Sequence, residues 1–419
     1  MLRRTLFPAD PVARALSVST MAASLATGLF YTVSALYFTM VVGLEATTVG
    51  LGLTIAGAAG VLAAYAGGGL SDRLGADRVQ IASTVVQGLA MLAYVLADGV
   101  VSFVLTACVA VGARSMQGTA KQALLARWFT GPDRIAVRAR LRVVTNVFIG
   151  LGTALAAVAL LVGTPDAFRV TMVLVGLCAL AAAVPLARLR GRVPELAPAL
   201  RPTRGRHAVD VARGRSPLRD RTYLASTVLN SVIAMQFGLT SVGVPLWIAS
   251  HTEAPTVMVS VMMLLNTVLV ALLQVRASRG THEIGSAGRA VRRGSLLIAL
   301  SCLLLAGAGA GGVGVVGAVA LLLLAELVGS LAEVLTEAGG WGLAFELADP
   351  LSAGAYQGVS QMGYAVASMV APLVITATAI EHGTVGWAAL AAVFAGCGCL
   401  VAALAARTAR RRTTVALVA

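Results

Sequence analysis

Twelve windows of about 20 apolar residues, the length a helix needs to cross a bilayer core, recur along this 419-residue chain. They fall at roughly 16–42, 47–70, 79–97, 99–122, 141–163, 167–188, 221–249, 256–275, 292–310, 313–338, 353–379 and 385–406. No other feature constrains the fold as much. A backbone surrounded by hydrocarbon must satisfy its N–H and C=O groups within the segment, and a helix does so for each residue in turn. The expected fold class is therefore an all-α membrane protein of twelve transmembrane helices. Composition points the same way: 58% of residues are hydrophobic and 12% charged, where an ordinary soluble domain is about a quarter charged.

The net charge of +14 would suggest nucleic acid in a soluble chain, but its placement suggests otherwise. All of the 32 Lys+Arg except Arg114 and Arg169 fall in one alternating set of loops and helix ends. That is the positive-inside pattern, so both termini are expected in the cytoplasm and no nucleic-acid partner is expected. Arg3, Arg4 and Arg14 precede a long apolar span with no small-residue cleavage site, as in a retained first membrane helix. The long connection 189–220, rich in Pro and Arg (Arg201-Pro202-Thr203-Arg204-Gly205-Arg206), separates the spans six and six. The expected domains are 1–188, a six-helix bundle, 189–220, a cytoplasmic linker that attracts anionic lipid headgroups, and 221–419, a second six-helix bundle. A faint repeat accompanies this layout: a shift of 219 residues lays Ala126-Arg127 over Phe345-Glu346. The five cysteines all lie in apolar spans without ligand spacing, so neither disulfide nor metal is expected.

Between the second and third spans the chain reads Gly68-Gly69-Leu70-Ser71-Asp72-Arg73-Leu74-Gly75-Ala76-Asp77-Arg78-Val79. Glycines let helix ends approach closely and turn tightly, and Asp72 and Arg73 are ions placed to pair with a neighbouring helix end and release it. This loop resembles the signature of the major facilitator superfamily, Gly-x-x-x-Asp-Arg/Lys-x-Gly-Arg/Lys-Arg/Lys. Gly68, Asp72, Arg73 and Gly75 match; Ala76 and Asp77 depart from two basic positions, and only Arg78 adds a late positive charge. The resemblance implies two pseudo-symmetric six-helix bundles and a gating role for Gly68, Asp72, Arg73, Gly75 and Arg78. The loop's counterpart in the second half, Arg276-Ala277-Ser278-Arg279-Gly280, has no acid.

Ionisable residues within a span are costly and default to functional hypotheses. In the fourth span Arg114, Gln117 and Gly118 resemble the Arg-x-x-Gln-Gly motif of proton-linked members. In the tenth, Glu326, Glu333 and Glu337 are spaced i, i+7, i+11, on one helical face. Acids do not face lipid in a row, so this face should line the bundle interior or a wet cavity. The family fold implies that helices 1, 4, 7 and 10 line a central cavity, with Arg114 opposite Glu333. Glu333 is the expected proton carrier and Glu326 the alternative, or the site of a cationic substrate; Glu337 serves equally well as an interfacial charge. A structural polar network accounts for the same residues without transport.

Substrate contacts are expected from Tyr31, Ser34 and Tyr37 in the first span, Asn146 in the fifth, Asn230, Gln236 and Trp247 in the seventh, and Gln357, Gln361 and Tyr364 in the eleventh, with Gln117 beside Arg114. Span 5 carries only Gly150-Leu151-Gly152 where antiporters of the family often have Gly-Pro, which leaves direction open. The stretch Trp341–Ala348, followed by Tyr356-Gln357-Gly358, resembles a subgroup of bacterial exporters.

Enzyme signatures are missing. Gly307–Gly312 satisfies Gly-x-G-x-x-Gly between two apolar spans without strand or downstream acid, and Lys121, the single lysine, belongs to no phosphate loop. The reading is a secondary transporter of the bacterial inner membrane, without enzymatic activity and with no cofactor beyond the proton gradient. It is expected to be monomeric, with protons, membrane lipid and a small molecule as partners. Export of a hydrophobic or amphipathic compound comes first; import of a nutrient by symport or facilitated diffusion, or a sensor without flux, fits the same residues.

Overall fold

The structure, a computed structural model, describes residues 6–200 and 216–418. The arginine–proline tether expected in the linker at 201–206 lies outside the described residues. Among the described residues, twelve helices are long and apolar enough to cross a membrane. We label them α1 (Pro11–Val41), α2 (Thr47–Leu74), α3 (Ala76–Leu96), α4 (Val100–Trp128), α5 (Gly131–Val162), α6 (Pro165–Arg192), α7 (Arg221–His251), α8 (Met258–Ala277), α9 (Ile284–Ala308), α10 (Gly314–Glu346), α11 (Pro350–Ile380) and α12 (Gly383–Arg412).

Several run past the apolar windows that announce them. The fourth continues to Trp128, the fifth begins at Gly131, and the twelfth extends through Arg412. Hydropathy detects only the stretch in hydrocarbon, whereas arginine-rich turns at the membrane surface keep their helical hydrogen bonds and propensity. Local chemistry fixes the starts. The Asp10 carboxylate accepts from Ala13 N–H at 2.6 Å with Pro11 in the first turn of α1. Thr164 caps α6 ahead of Pro165, and Asp220 accepts from Tyr223 N–H to cap α7. Single π-helical turns end α1 at Tyr37–Val41 and α11 at Thr376–Ile380 and interrupt α7 at Leu239–Gly243, features that no hydropathy pattern encodes.

The chain forms two compact units. The first comprises Met1–Thr130, Arg140–Pro217 and Asp349–Ala365; the second comprises Gly131–Ala139, Leu218–Ala348 and Val366–Ala419. In the first, α1 and α5 meet backbone to backbone: a methyl group on Gly28 would strike the Ile149 carbonyl, and one on Gly152 the Leu25 carbonyl. Such contact gives helices in lipid close van der Waals packing where no hydrophobic driving force separates them from solvent. An aromatic cluster of Phe30, Phe38, Tyr94 and Phe103 closes one end of this unit, with Phe38 and Phe103 centroids 4.6 Å apart. In the second unit Trp247 is buried, donates its indole N–H to the Leu305 carbonyl at 2.7 Å, and meets Trp387 edge-on. Large apolar side chains such as Leu161 and Val316 point outward, as expected of a surface that faces lipid.

Candidate functional site

Each unit holds a polar cavity among its helices, and the two differ in charge. In the second unit, α7, α8, α9 and α10 enclose a cavity of about 40 Å³, room for two or three waters. Glu326 and Glu333 reach it from α10, and both are buried, at 6% and 7% exposure. A chain of neutral groups links them. The Ser330 hydroxyl donates to Glu326 Oε1 at 2.9 Å, Asn266 Nδ2 lies 3.1 Å from Ser330 Oγ, and the same amide donates to Glu333 Oε2 at 3.1 Å. The seven-residue spacing of the glutamates puts them two turns apart on one face, and Ser330 sits between them on that face. Gln236 from α7 completes the wall, its amide donating to Thr336 Oγ1 at 2.9 Å. Among the described residues, no basic residue lines this cavity. Glu337 is half-buried and lies outside its lining.

The first unit holds a wider cavity, about 120 Å³, among α1, α3, α4 and α5. Arg114 and Lys121 line it from α4, and Gln117 lies on the same face. The Arg114 guanidinium donates to the Tyr31 hydroxyl at 2.6 Å and lies 5.3 Å from that ring's centroid, a cation–π contact. Arg114 is exposed although it sits deep within a span, so it faces open space within the protein rather than lipid. Gln117 Nε2 donates to Thr84 Oγ1 at 2.6 Å. The rest of the lining is mainly hydroxyls and amides, among them Thr20, Ser24, Gln80 and Gln87, and among the described residues it includes no carboxylate.

A third cluster surrounds the signature loop. Asp72, 6% exposed, accepts from Arg127 Nη2 at 2.7 Å and from the backbone N–H groups of Gly354 and Ala355 at 2.8 and 2.7 Å. Those amides open the α-helical part of α11, Ala353–Ile375, so an arginine and the positive end of a helix hold one carboxylate. Gly68 lies against Gly354, where a side chain would strike the Gly354 carbonyl. Gly75 takes φ 95°, closing α2 and opening α3 in a conformation that favours glycine. Arg73 and Arg78 are exposed. Asp77, which stands where the family motif has a basic residue, is buried and pairs with Arg190 at 2.7 Å.

Other expected contacts lie elsewhere. Tyr37 is 1% exposed in the aromatic core, its hydroxyl donating to the Tyr94 carbonyl at 3.3 Å, so it belongs to the packing and not to a cavity wall. Trp247 is likewise core. Ser34 and Asn146 are half-buried and line neither cavity; the neighbour Thr145 lines the first unit's cavity instead. Asn230 turns its amide onto the Ser226 carbonyl of its own helix at 2.8 Å. Gln357 is fully buried, Gln361 lies beside Gly118, and Tyr364 is 37% exposed. The sequence reading missed Gln80, Gln87, Lys121 and Asn266. Gln80 and Gln87 share a seven-residue spacing on α3, as Arg114 and Lys121 do on α4, the same signal that marks the glutamates. Arg134 and Arg138 were missed too: they lie over Phe345 and Trp341, and Arg134 approaches Glu346 at 3.7 Å. These contacts give the Trp341–Glu346 stretch a structural role.

The Major Facilitator Superfamily matches residues 16–372. Among solved structures, a bacterial homologue of the iron transporter ferroportin in an outward-facing state is similar at 14% identity and TM-score 0.70, covering 94% of this chain and 98% of that one. The human organic anion transporter MFSD10 (TETRAN) is similar at 14% identity and TM-score 0.68, with 94% and 99% covered. The proton:xylose symporter XylE bound to 6-bromo-6-deoxy-D-glucose is similar at 14% identity and TM-score 0.68, with 95% of each chain covered. No curated protein matches the sequence.

Proposed function

Because this chain belongs to the Major Facilitator Superfamily, with the all-helical fold of its transporters, we propose that it is a proton-coupled exporter of small hydrophobic or amphipathic molecules. The observation that carries this reading is the hydrogen-bonded series Glu326–Ser330–Asn266–Glu333 beside a water-sized cavity. The Glu326 carboxyl meets neutral donors there, and an ionised carboxylate held by neutral groups in a low-dielectric interior is expensive. A proton relieves that cost, and two carboxyls bridged by the Ser330 hydroxyl and the Asn266 amide offer it two resting places. Glu333 is the carrier in this scheme, with Glu326 as the second position.

Transport then proceeds by alternating access of the six-helix halves, 1–188 and 221–419, in a bacterial inner membrane with both termini cytoplasmic and the protein monomeric. The signature-loop cluster serves as the gate: Asp72 holds Arg127 and the start of the α11 helix in one state and releases them in another. Export in exchange for protons follows from the Arg-x-x-Gln-Gly resemblance around Arg114 and the acidic face of α10.

The test is accumulation of fluorescent drugs and dyes in an efflux-deficient bacterium expressing the wild type or Glu333→Gln. Proton-driven export predicts lower accumulation with the wild type, lost in the variant and on collapse of the proton gradient. Uphill uptake under an inward proton gradient in proteoliposomes would overturn export in favour of symport.

A further inference from the structure

We propose that the cavity of the first unit is a binding site for an oxyanion, a carboxylate or phosphate group that forms the polar end of the transported molecule. The inference rests on the transporter reading for its role in flux, while the site itself stands on four observations. Arg114 and Lys121 line one cavity, and its wall contains no carboxylate. Arg114, a cation in a region where charge is costly, needs an anion or a wet, polar enclosure to remain charged.

The second observation is the state of the amides. Gln80 and Gln87 are 2% and 7% exposed and line this space, and among the described residues the Gln80 carbonyl oxygen is buried without a partner. Buried amides are ordinarily satisfied, and an oxyanion in the cavity would take up the NH2 donors of these two side chains. Thr20 and Ser24, 6% and 5% exposed, add hydroxyls from α1.

The third observation is the engagement of Arg114. The Arg114 guanidinium donates to the phenol oxygen of Tyr31, and five N–H groups in a planar fork leave several directed elsewhere. A fork of this kind matches carboxylate and phosphate oxygens in pairs. The Tyr31 ring meanwhile holds the guanidinium in place, which lowers the cost of ordering it when the ligand arrives.

Size is the fourth. About 120 Å³ accommodates an oxyanion head with a short polar extension, and not a drug-sized body. The remainder of the molecule must therefore sit outside this cavity. An amphipathic organic anion has the required division, whereas a cationic dye would place its charge against Arg114 and Lys121.

Full-length protein purified in nanodiscs tests this directly through ligand-dependent thermal stability at fixed ionic strength. Benzoate and phenyl phosphate are the probes, with benzamide and benzylamine as neutral and cationic counterparts. Saturable stabilisation is expected from at least one anion and from neither counterpart; which anion binds separates carboxylate from phosphate. Arg114→Gln and Lys121→Gln should each weaken the apparent affinity about tenfold or more. Arg114→Lys should recover part of it, which keeps the result independent of any folding defect in Arg114→Gln. Glu253→Gln, an exposed charge that lines neither cavity, should bind the anion as the wild type does. Absence of any saturable anion effect, preference for benzylamine, or unchanged affinity in both glutamine variants would overturn the site. Proton-coupled flux that survives in Glu333→Gln would instead overturn the coupling scheme and leave the anion site standing.

Discussion

The two cavities are built from the same materials and reach opposite electrostatic solutions. In the second unit two buried glutamates are joined by Ser330 and Asn266, and no basic residue lines the space. In the first, Arg114 and Lys121 stand among hydroxyls and glutamines, and no acidic residue does. Each uses a seven-residue spacing on a long helix to bring two charges of one sign to one face. The acidic cavity has room for a few waters, the basic one for a larger group. A small acidic pocket suits a proton and a wider basic pocket an anionic group, so the proposed function places coupling in one unit and recognition in the other. Asp72 and its partners belong to neither cavity, and in that proposal they act on the rate of the cycle.

The strongest way to break this division is Glu333→Gln. It should reduce proton-driven flux by about a hundredfold or more, in the range that general acid–base groups contribute, while counterflow exchange of substrate persists. Counterflow lost together with proton coupling would move Glu333 from the coupling series into the substrate site. Next in size is Asp72→Asn, which removes the charge that Arg127 and two helix-end amides share. Hydrogen bonds to a charged group contribute roughly 1.5–3 kcal/mol, so the gate should favour its released state by that order. Turnover should fall about tenfold or more with substrate selectivity unchanged, as read from flux ratios across a compound panel. A changed ratio would place Asp72 in recognition.

Smaller effects sharpen the comparison. Tyr31→Phe keeps the ring over Arg114 and removes the phenol oxygen, so a rise in KM of about tenfold is expected, in line with the lower end of the roughly 1.5–3 kcal/mol of one hydrogen bond to a charged group, with the pH dependence of flux unmoved. An altered pH dependence would connect the basic cavity to proton coupling. Gly75→Ala forces a side chain into φ 95° and should cost about 1 kcal/mol of stability, visible as a lower Tm, with both cavities still binding their ligands.

The order of these effects follows what was legible in the residues. Glu326 and Glu333 announce themselves, because acids at helical spacing in an apolar span have few places to go. Asp72 is marked by a contiguous motif. Tyr31 and Arg114 are each legible as candidates, but their phenol–guanidinium contact joins residues 83 positions apart, which no local pattern encodes.

Taken by itself, the sequence determined the twelve helices, the all-helical membrane class and the acidic face of α10. Each of these is a local property: hydropathy sums over neighbouring residues, and a helix of 3.6 residues per turn fixes which of them share a face. Only the tertiary structure decided which polar faces meet. It put Tyr37 and Trp247 into the core, turned Asn230 onto its own helix, gave Asp77 to Arg190, joined Asn266 to the glutamates, and gathered Gln80, Gln87 and Lys121 around Arg114. The physical reason is the rotation of each helix about its axis. In lipid that rotation is set by the packing of small residues such as Gly28 against Gly152 and by interhelical hydrogen bonds, and both depend on residues far apart in the chain.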